Sequence, residues 1–264
     1  MPYSFALEGI ILLIDAHIHL PTGDQYKNLV SKKDRVLAEL EQNGVDKCIV
    51  IADSWPQSEI GSNDEVVSLF PRVPDAKVFV VGGISPVMEF DKTFRMIEQF
   101  IERKQIVGIK LFTGHEKFYL TDDRLKPVYE LAMRTRVPVL FHSGWDNEEY
   151  GDTYIAESVL QTYPGLQLVC CHCWYPKIDK CMKLIDYPNI AFDLSSVADD
   201  PGITDKILTM VRALVEAAPD RVMFGSDSFG CSMAEHIRLV KRLGLDPAAE
   251  QLVFAGNAMR IYGI

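Results

Sequence analysis

The chain has 264 residues, of which 48% are hydrophobic and 24% charged, with a formal net charge of -10. That length holds one α/β barrel or two small domains; the acidity excludes a nucleic-acid partner, which takes a basic surface, and no apolar run approaches the ~18 residues of a membrane span. A small molecule is the expected partner, and opening residues 1–5, which lack a basic region, together with six clustered or scattered cysteines, predict reduced packing thiols in a cytoplasmic protein.

An apolar run at 11–14 leads into Asp15, His17 and His19. On a strand that spacing sends both imidazoles to one face, and it puts Asp15 on the face of His17 as a carboxylate able to orient it. Alone, the His-x-His serves equally as one side of a metal site or as a buried strand end with hydrogen-bonded histidines. A helix is predicted over 31–44, with Val36, Leu37 and Leu40 on one stripe and Gly44 as its stop, followed by a buried strand over 47–52. Asn63 and Asp64 open a helix finished by Pro71 and Pro74; strand three spans 77–81 and ends at Gly82 and Gly83. Asp91 caps a helix carrying Phe94, Ile97, Phe100 and Ile101, and strand four spans 106–112. The next helix starts at 121–123 and ends near Arg136, strand five spans 138–142, and a helix over 153–163 is stopped by Pro164 and Gly165. Strands six, seven and eight span 166–171, 189–194 and 222–225, with a helix over 204–218 between the last two. Ser232 and Glu235 have capping-box spacing, and Asp246-Pro247 opens a final helix.

Helices and strands thus alternate strictly, and the strands are apolar throughout, as in a parallel sheet covered on both faces. Eight such units, most near 30 residues, predict an α/β fold, a (β/α)8 TIM barrel forming a single domain over 1–264. An open doubly wound sheet would carry G-x-G-x-x-G after strand one, and it does not occur.

The informative polar residues fall at strand ends: His17 and His19 at one, Lys110 at four, His142 at five, His172 at six and Asp227 at eight. In a closed barrel those ends form the face where barrel enzymes do their chemistry, with Asp227 beside the His-x-His through closure. Four histidines and a carboxylate converging there predict a metal site. Cys171 and Cys173 are expected on one strand face and Cys170 and His172 on the other. Trp55 and Trp145 are expected to line the pocket; His115 fits either a substrate contact or a solvated loop, and His236 a helix residue on the outer ring.

Asp15-Ala-His-Ile-His19, Phe141-His142, Val169-Cys-Cys-His172, residues 221–227 (Arg-Val-Met-Phe-Gly-Ser-Asp) and residues 254–263 resemble the strand-end motifs of the amidohydrolase superfamily, specifically its amidohydrolase-related (amidohydrolase 2) branch. The resemblance implies that His17, His19, His142 and Asp227 hold a divalent ion, with His172 beside it as a catalytic group or as ligand to a second ion. Zn2+ is the default, and Mn2+, Fe2+ or Ni2+ also suit imidazole and carboxylate ligands. Lys110 would bridge two ions only if carbamylated; otherwise it is expected to pair with a carboxylate in the mouth. Two stretches depart from the pattern: Cys173-Trp174-Tyr175-Pro176, expected to form an aromatic wall, and Ser228-Phe229-Gly230.

The resemblance implies a metal-dependent hydrolase of an ester, lactone or amide, with Asp227 moving the proton and His172 polarising the carbonyl or stabilising the oxyanion. The same ligands also serve decarboxylases of aromatic or muconate-type acids. A third reading, of another class, is a non-catalytic metal-binding barrel. Resembling proteins are often homodimers.

Overall fold

The computed structural model describes residues 12–26, 28–199 and 202–264, so residues 1–5, on which the compartment expectation rests, lie outside the described part. Eight parallel strands follow one another in sequence order around the sheet. They are β1 (Ile14–Ile18), β2 (Lys47–Ile51), β3 (Val78–Gly83), β4 (Gly108–Leu111), β5 (Val139–Phe141), β6 (Leu168–Cys170), β7 (Ile190–Asp193) and β8 (Val222–Met223). Helices α1 (Leu29–Asn43), α2 (Asn63–Leu69), α3 (Phe90–Glu102), α4 (Lys126–Thr135), α5 (Thr153–Thr162) and α6 (Asp205–Ala217) come before β8. After it come α7 (Met233–Arg242), α8 (Pro247–Gln251) and α9 (Asn257–Tyr262). Among the described residues no helix is long and apolar enough to cross a membrane.

Closure between β8 and β1 is made by backbone hydrogen bonds. Ala16 N–H donates to the Phe224 carbonyl at 3.0 Å, Asp227 N–H to His17 at 2.8 Å, and His19 N–H to Ser228 at 2.7 Å. The result is the predicted (β/α)8 barrel. Alternate strand residues serve two apolar layers, as a covered parallel sheet requires. Cys48, Val50, Ile109, Leu111, Phe141 and Phe192 pack outward with the helices. Ile49, Ile51, Phe79, Leu140, Val169 and Met223 fill the barrel interior. Helix α9 adds Ala258, Ile261 and Tyr262 to that inner layer, and Asn257 ties it to the start of β8 by donating to the Pro219 and Val222 carbonyls. The plug therefore sits at the end opposite the strand C-termini.

Several local expectations are corrected. Strand β3 runs on through Gly82 and ends at Gly83, where a Cβ would stand 2.6–2.8 Å from the backbone of residues 52–54, an approach only glycine permits. Glu89, not Asp91, occupies the N-cap position of α3. The strict alternation fails once: β6 and β7 are joined by the short 3-10 segments Cys171–Trp174 and Ile178–Leu184, with no α-helix among the described residues. His172, Cys173 and Trp174 all have positive φ, which breaks the i to i+4 ladder, and the strand alternation expected for Cys171, His172 and Cys173 does not apply. His236 lies on helix α7 of the outer ring, as expected, and is buried there.

Candidate metal centre

Strand β1 departs from regular alternation at the point where the site begins. Asp15 pairs with Cys48 and Ile18 with Val50, so two residues, Ala16 and His17, oppose the single Ile49. This is a β-bulge, a device that re-aims a side chain. Its effect is visible in the packing: Ile14 and Ala16 join the interior layer, whereas Ile18 and Leu20 join the helix-facing layer. His17 and His19 consequently flank an outward-packed Ile18 and meet at the barrel mouth, and the expected common face of Asp15 and His17 is lost. Asp15 accepts from the backbone N–H of His17 and from both the N–H and the hydroxyl of Ser226, fastening β1 to β8.

The carboxylate that orients His17 is Asp193, at the end of β7. His17 Nδ1–H donates to Asp193 Oδ2 at 2.6 Å. His19 Nδ1–H donates to the Ile51 carbonyl at 3.0 Å. Both histidines are thereby held with an unprotonated Nε2. His17 Nε2 lies 3.6 Å and His19 Nε2 3.3 Å from Asp227 Oδ1, and His17 Nε2, though buried, has no hydrogen-bond partner among the described residues. Two ligands at ~2.1 Å from one tetrahedral ion stand about 3.4 Å apart. The three donor atoms and their spacing therefore fit a divalent ion. A second grouping, His17, Cys171 and Asp193, does not, because the short His17–Asp193 contact already holds a proton.

The remaining expected residues lie around this group. The His172 ring is 4.9 Å from that of His17 and 4.8 Å from that of His142, whose other neighbours are His115 at 4.1 Å and Trp145 at 5.7 Å. His142 is thus one ring removed from the three-residue group, adjoining it through His172. Trp145 covers both, stacked on His142 and edge-on to His172. Trp174 forms no wall: it is fully buried, packs on Phe141 and donates its indole N–H to Gly151. Lys110 lies between the outward Ile109 and Leu111 and lines the cavity; among the described residues no carboxylate pairs with it, which corrects the expected ion pair.

Three groups were not foreseen: Asp193, the serines that follow it, and an acidic wall. Ser195 N–H donates to Asp193 Oδ1, and Ser195 Oγ lies 2.8 Å from His172 Nδ1 and 3.2 Å from His17 Nδ1. His172 Nδ1 also lies 3.3 Å from the Ser195 carbonyl, an oxygen that can only accept, so Ser195 holds this ring nitrogen through both its main chain and its hydroxyl. Ser196 Oγ–H donates to Asp227 Oδ2 at 2.5 Å. Across the cavity, Glu116 accepts from Ser54 and Ser85 and so joins the loops after β2, β3 and β4. The run Asp193-Leu-Ser-Ser196, polar directly after an apolar strand, was the available signal.

Burial sets the charge states. It pushes His172 down to about 3 and His142 well below the usual imidazole value, and it lowers His17 despite the Asp193 carboxylate. Burial alone would raise Asp227, but its close contact with His19 and the nearby His17 and His172 rings hold it well below the carboxylate range. Neutral imidazoles beside an ionised carboxylate are the ligand states a divalent ion needs. The group opens on a cavity of about 490 Å³ lined also by Asp53, Trp55, Phe112, His115, Glu116 and Phe229.

Comparison with solved structures finds the same fold in an uncharacterised TIM-barrel protein of Bordetella bronchiseptica (TM-score 0.74, 20% identity, covering 95% of this chain and 98% of that one). It also finds it in a candidate 2-pyrone-4,6-dicarboxylic acid hydrolase of Pseudomonas putida (0.71, 19%, 96% and 98%). A third is a dihydroxybenzoic acid decarboxylase of Polaromonas sp. holding manganese and the inhibitor 2-nitroresorcinol (0.68, 14%, 96% and 97%). Comparison with curated protein sequences finds no match. A family model described as Amidohydrolase (Amidohydro_2) matches residues 14–264, and the chain belongs to that family.

Proposed function

We propose that the chain is a divalent-metal-dependent hydrolase acting on an ester, lactone or amide bond of a small molecule. The observation that carries this reading is the convergence of His17 Nε2, His19 Nε2 and Asp227 Oδ1 at ligand spacing, beside an open cavity. His17, His19 and Asp227 would hold the ion, with His142 completing the set on the family pattern. Zn2+ is the expected ion and Mn2+ the first alternative, given the manganese in a similar decarboxylase. When bound, it would supply Lewis acidity and make water a nucleophile near neutral pH. Asp227, ionised, would hold the ion through Oδ1 and take and return the proton at Oδ2, the oxygen to which Ser196 donates. His172, neutral, would polarise the scissile carbonyl or stabilise the oxygen on which negative charge develops.

A second reading, decarboxylation of a small aromatic or unsaturated acid, is favoured by Lys110, a buried lysine on the cavity wall with which, among the described residues, no carboxylate pairs, so that a substrate carboxylate could. Elemental analysis followed by turnover of lactones and of carboxyl-labelled aromatic acids separates the two. Hydrolysis without CO2 release supports the first reading; CO2 release replaces it with the second. A protein that holds and takes up no transition metal defeats both. One ion per chain argues against a carbamylated Lys110 bridge, and two ions argue for it.

A further inference from the structure

Helix α7 carries a buried histidine that the chemistry above does not use. His236 Nδ1–H donates to the Ser232 carbonyl at 2.8 Å, one turn back on the same helix. Its Nε2, left without a proton, accepts the backbone N–H of Ala198 at 3.1 Å. Both residues are buried, at 1% and 2% exposure, so that N–H has no water to turn to. Ala198 ends the short segment that follows β7. Within that segment Ser195 bridges His17 and His172 and bonds Asp193, and Ser196, held in the left-handed region at φ 58°, reaches Asp227. A serine in that conformation persists only where its surroundings hold it there. At one end the holding group is strand β7; at the other it is the imidazole of His236.

We infer that His236 is a positioning residue for the candidate metal centre: by accepting the Ala198 N–H it fixes the Ser195–Ser196 segment that holds His172 at Nδ1 and steadies Asp227. Burial keeps its imidazole below the ordinary range, which preserves the bare Nε2. The positional part of this inference stands independently of the proposed function; only its consequence for metal affinity rests on that reading.

Two substitutions divide the two ring nitrogens between them. H236N retains a donor near the Nδ1 position for Ser232 and loses the acceptor for Ala198; H236Q returns an acceptor oxygen near the Nε2 position. L239A, which hollows the same helix at a buried leucine, serves as the control for general destabilisation. The readouts are the ring 15N signals of His17 and His172 in histidine-labelled full-length protein, and Zn2+ affinity by chelator competition. H236N is expected to move or split the His172 signals and weaken Zn2+ binding by about tenfold or more, the scale of a lost supporting contact. H236Q is expected to restore both, and L239A to lower Tm without moving either. Unchanged His172 signals in H236N overturn the inference, as does an L239A that moves them equally. In the unsubstituted protein, a His236 proton found on Nε2 overturns it without any variant. Absence of Zn2+ binding in the unsubstituted chain counts against the proposed function, and the His172 signals still decide the role of His236.

Discussion

Replacing Asp193 by asparagine isolates the contact that sets the tautomer of His17. Asp193 is fully buried and spends both oxygens: Oδ2 takes the Nδ1–H of His17 at 2.6 Å, and Oδ1 takes the backbone N–H of Ser195 at 2.7 Å. Asparagine has the same shape but only one acceptor, so it serves His17 or Ser195 and turns its own N–H2 against the other. A hydrogen bond to a charged group is worth ~1.5–3 kcal/mol, and at ~1.4 kcal/mol per decade this is a loss of about 10- to 100-fold in affinity for a divalent ion. Outer partners of metal-binding histidines lose a similar ~10–100-fold when mutated. Competition with a chromogenic chelator for Zn2+ near neutral pH reads the affinity, and a thermal melt reads the fold. A D193N protein that binds Zn2+ as tightly as the parent, with the parent Tm, would refute the orienting role and with it the metal assignment of His17 Nε2.

Gly225 lies where β8 leaves the sheet, and a Cβ there would stand 2.8 Å from Asp193 Oδ1 and 3.1 Å from the His17 Cβ. G225A is expected to cost ~1–3 kcal/mol by overpacking and to weaken Zn2+ binding, both read in urea melts and chelator competition; native values for both would contradict the close approach. D15A leaves three donors at the β1–β8 seam without an acceptor, at ~1–3 kcal/mol each if buried, and is expected to lower Tm by roughly 10 °C or more. D15N keeps an acceptor oxygen, while the Ser226 hydroxyl can turn to accept, so it should retain most of the stability; equal losses in the two variants would show that hydrogen bonding at Asp15 is not what matters. The metal-free chain should weaken in acid. His172 titrates near 3 when folded against an ordinary 6.5, so the unfolded chain takes the proton first. Its stabilisation is complete above pH 6.5 and drains toward pH 3 at ~1.4 kcal/mol per unit, about 2 kcal/mol by pH 5. Urea melts of the parent and H172Q compare the slopes; identical slopes exclude this cause.

What could be read before the structure, and what could not, divides along a physical line. Apolar runs such as Cys48–Ile51 and Ile190–Phe192 announce strands because a strand buried on both faces leaves no polar residue in its interior. Histidines and Asp227 at the ends of such runs announce the site for the same reason. Side-chain direction was legible only where alternation is regular. Lys110, between Ile109 and Leu111, faces inward as period two requires. His17 does not follow that rule, because the bulge at Ala16–His17 depends on pairing with β2 and closure against β8, contacts that no local pattern encodes. Asp193 was hidden differently: it is one carboxylate among many until β7 brings it within 2.6 Å of a residue 176 positions away. The left-handed turn through His172, Cys173 and Trp174 has no glycine to mark it.

The bulge also explains why the seam between β1 and β8 carries the candidate ligands. Regular pairing would send the side chains of residues 15, 17 and 19 to one face together, so that Asp15 could not fasten Ser226 while His17 and His19 met Asp227. Inserting one residue separates the two tasks. Asp15 and the backbone of residues 16–19 close the barrel, and the imidazoles are freed to point into its mouth. Closure and ligand geometry are then mechanically linked: whatever loosens the seam displaces Asp227 relative to both histidines at once. Damage at Asp15 should therefore appear first as lost metal affinity and only later, with further destabilisation, as unfolding.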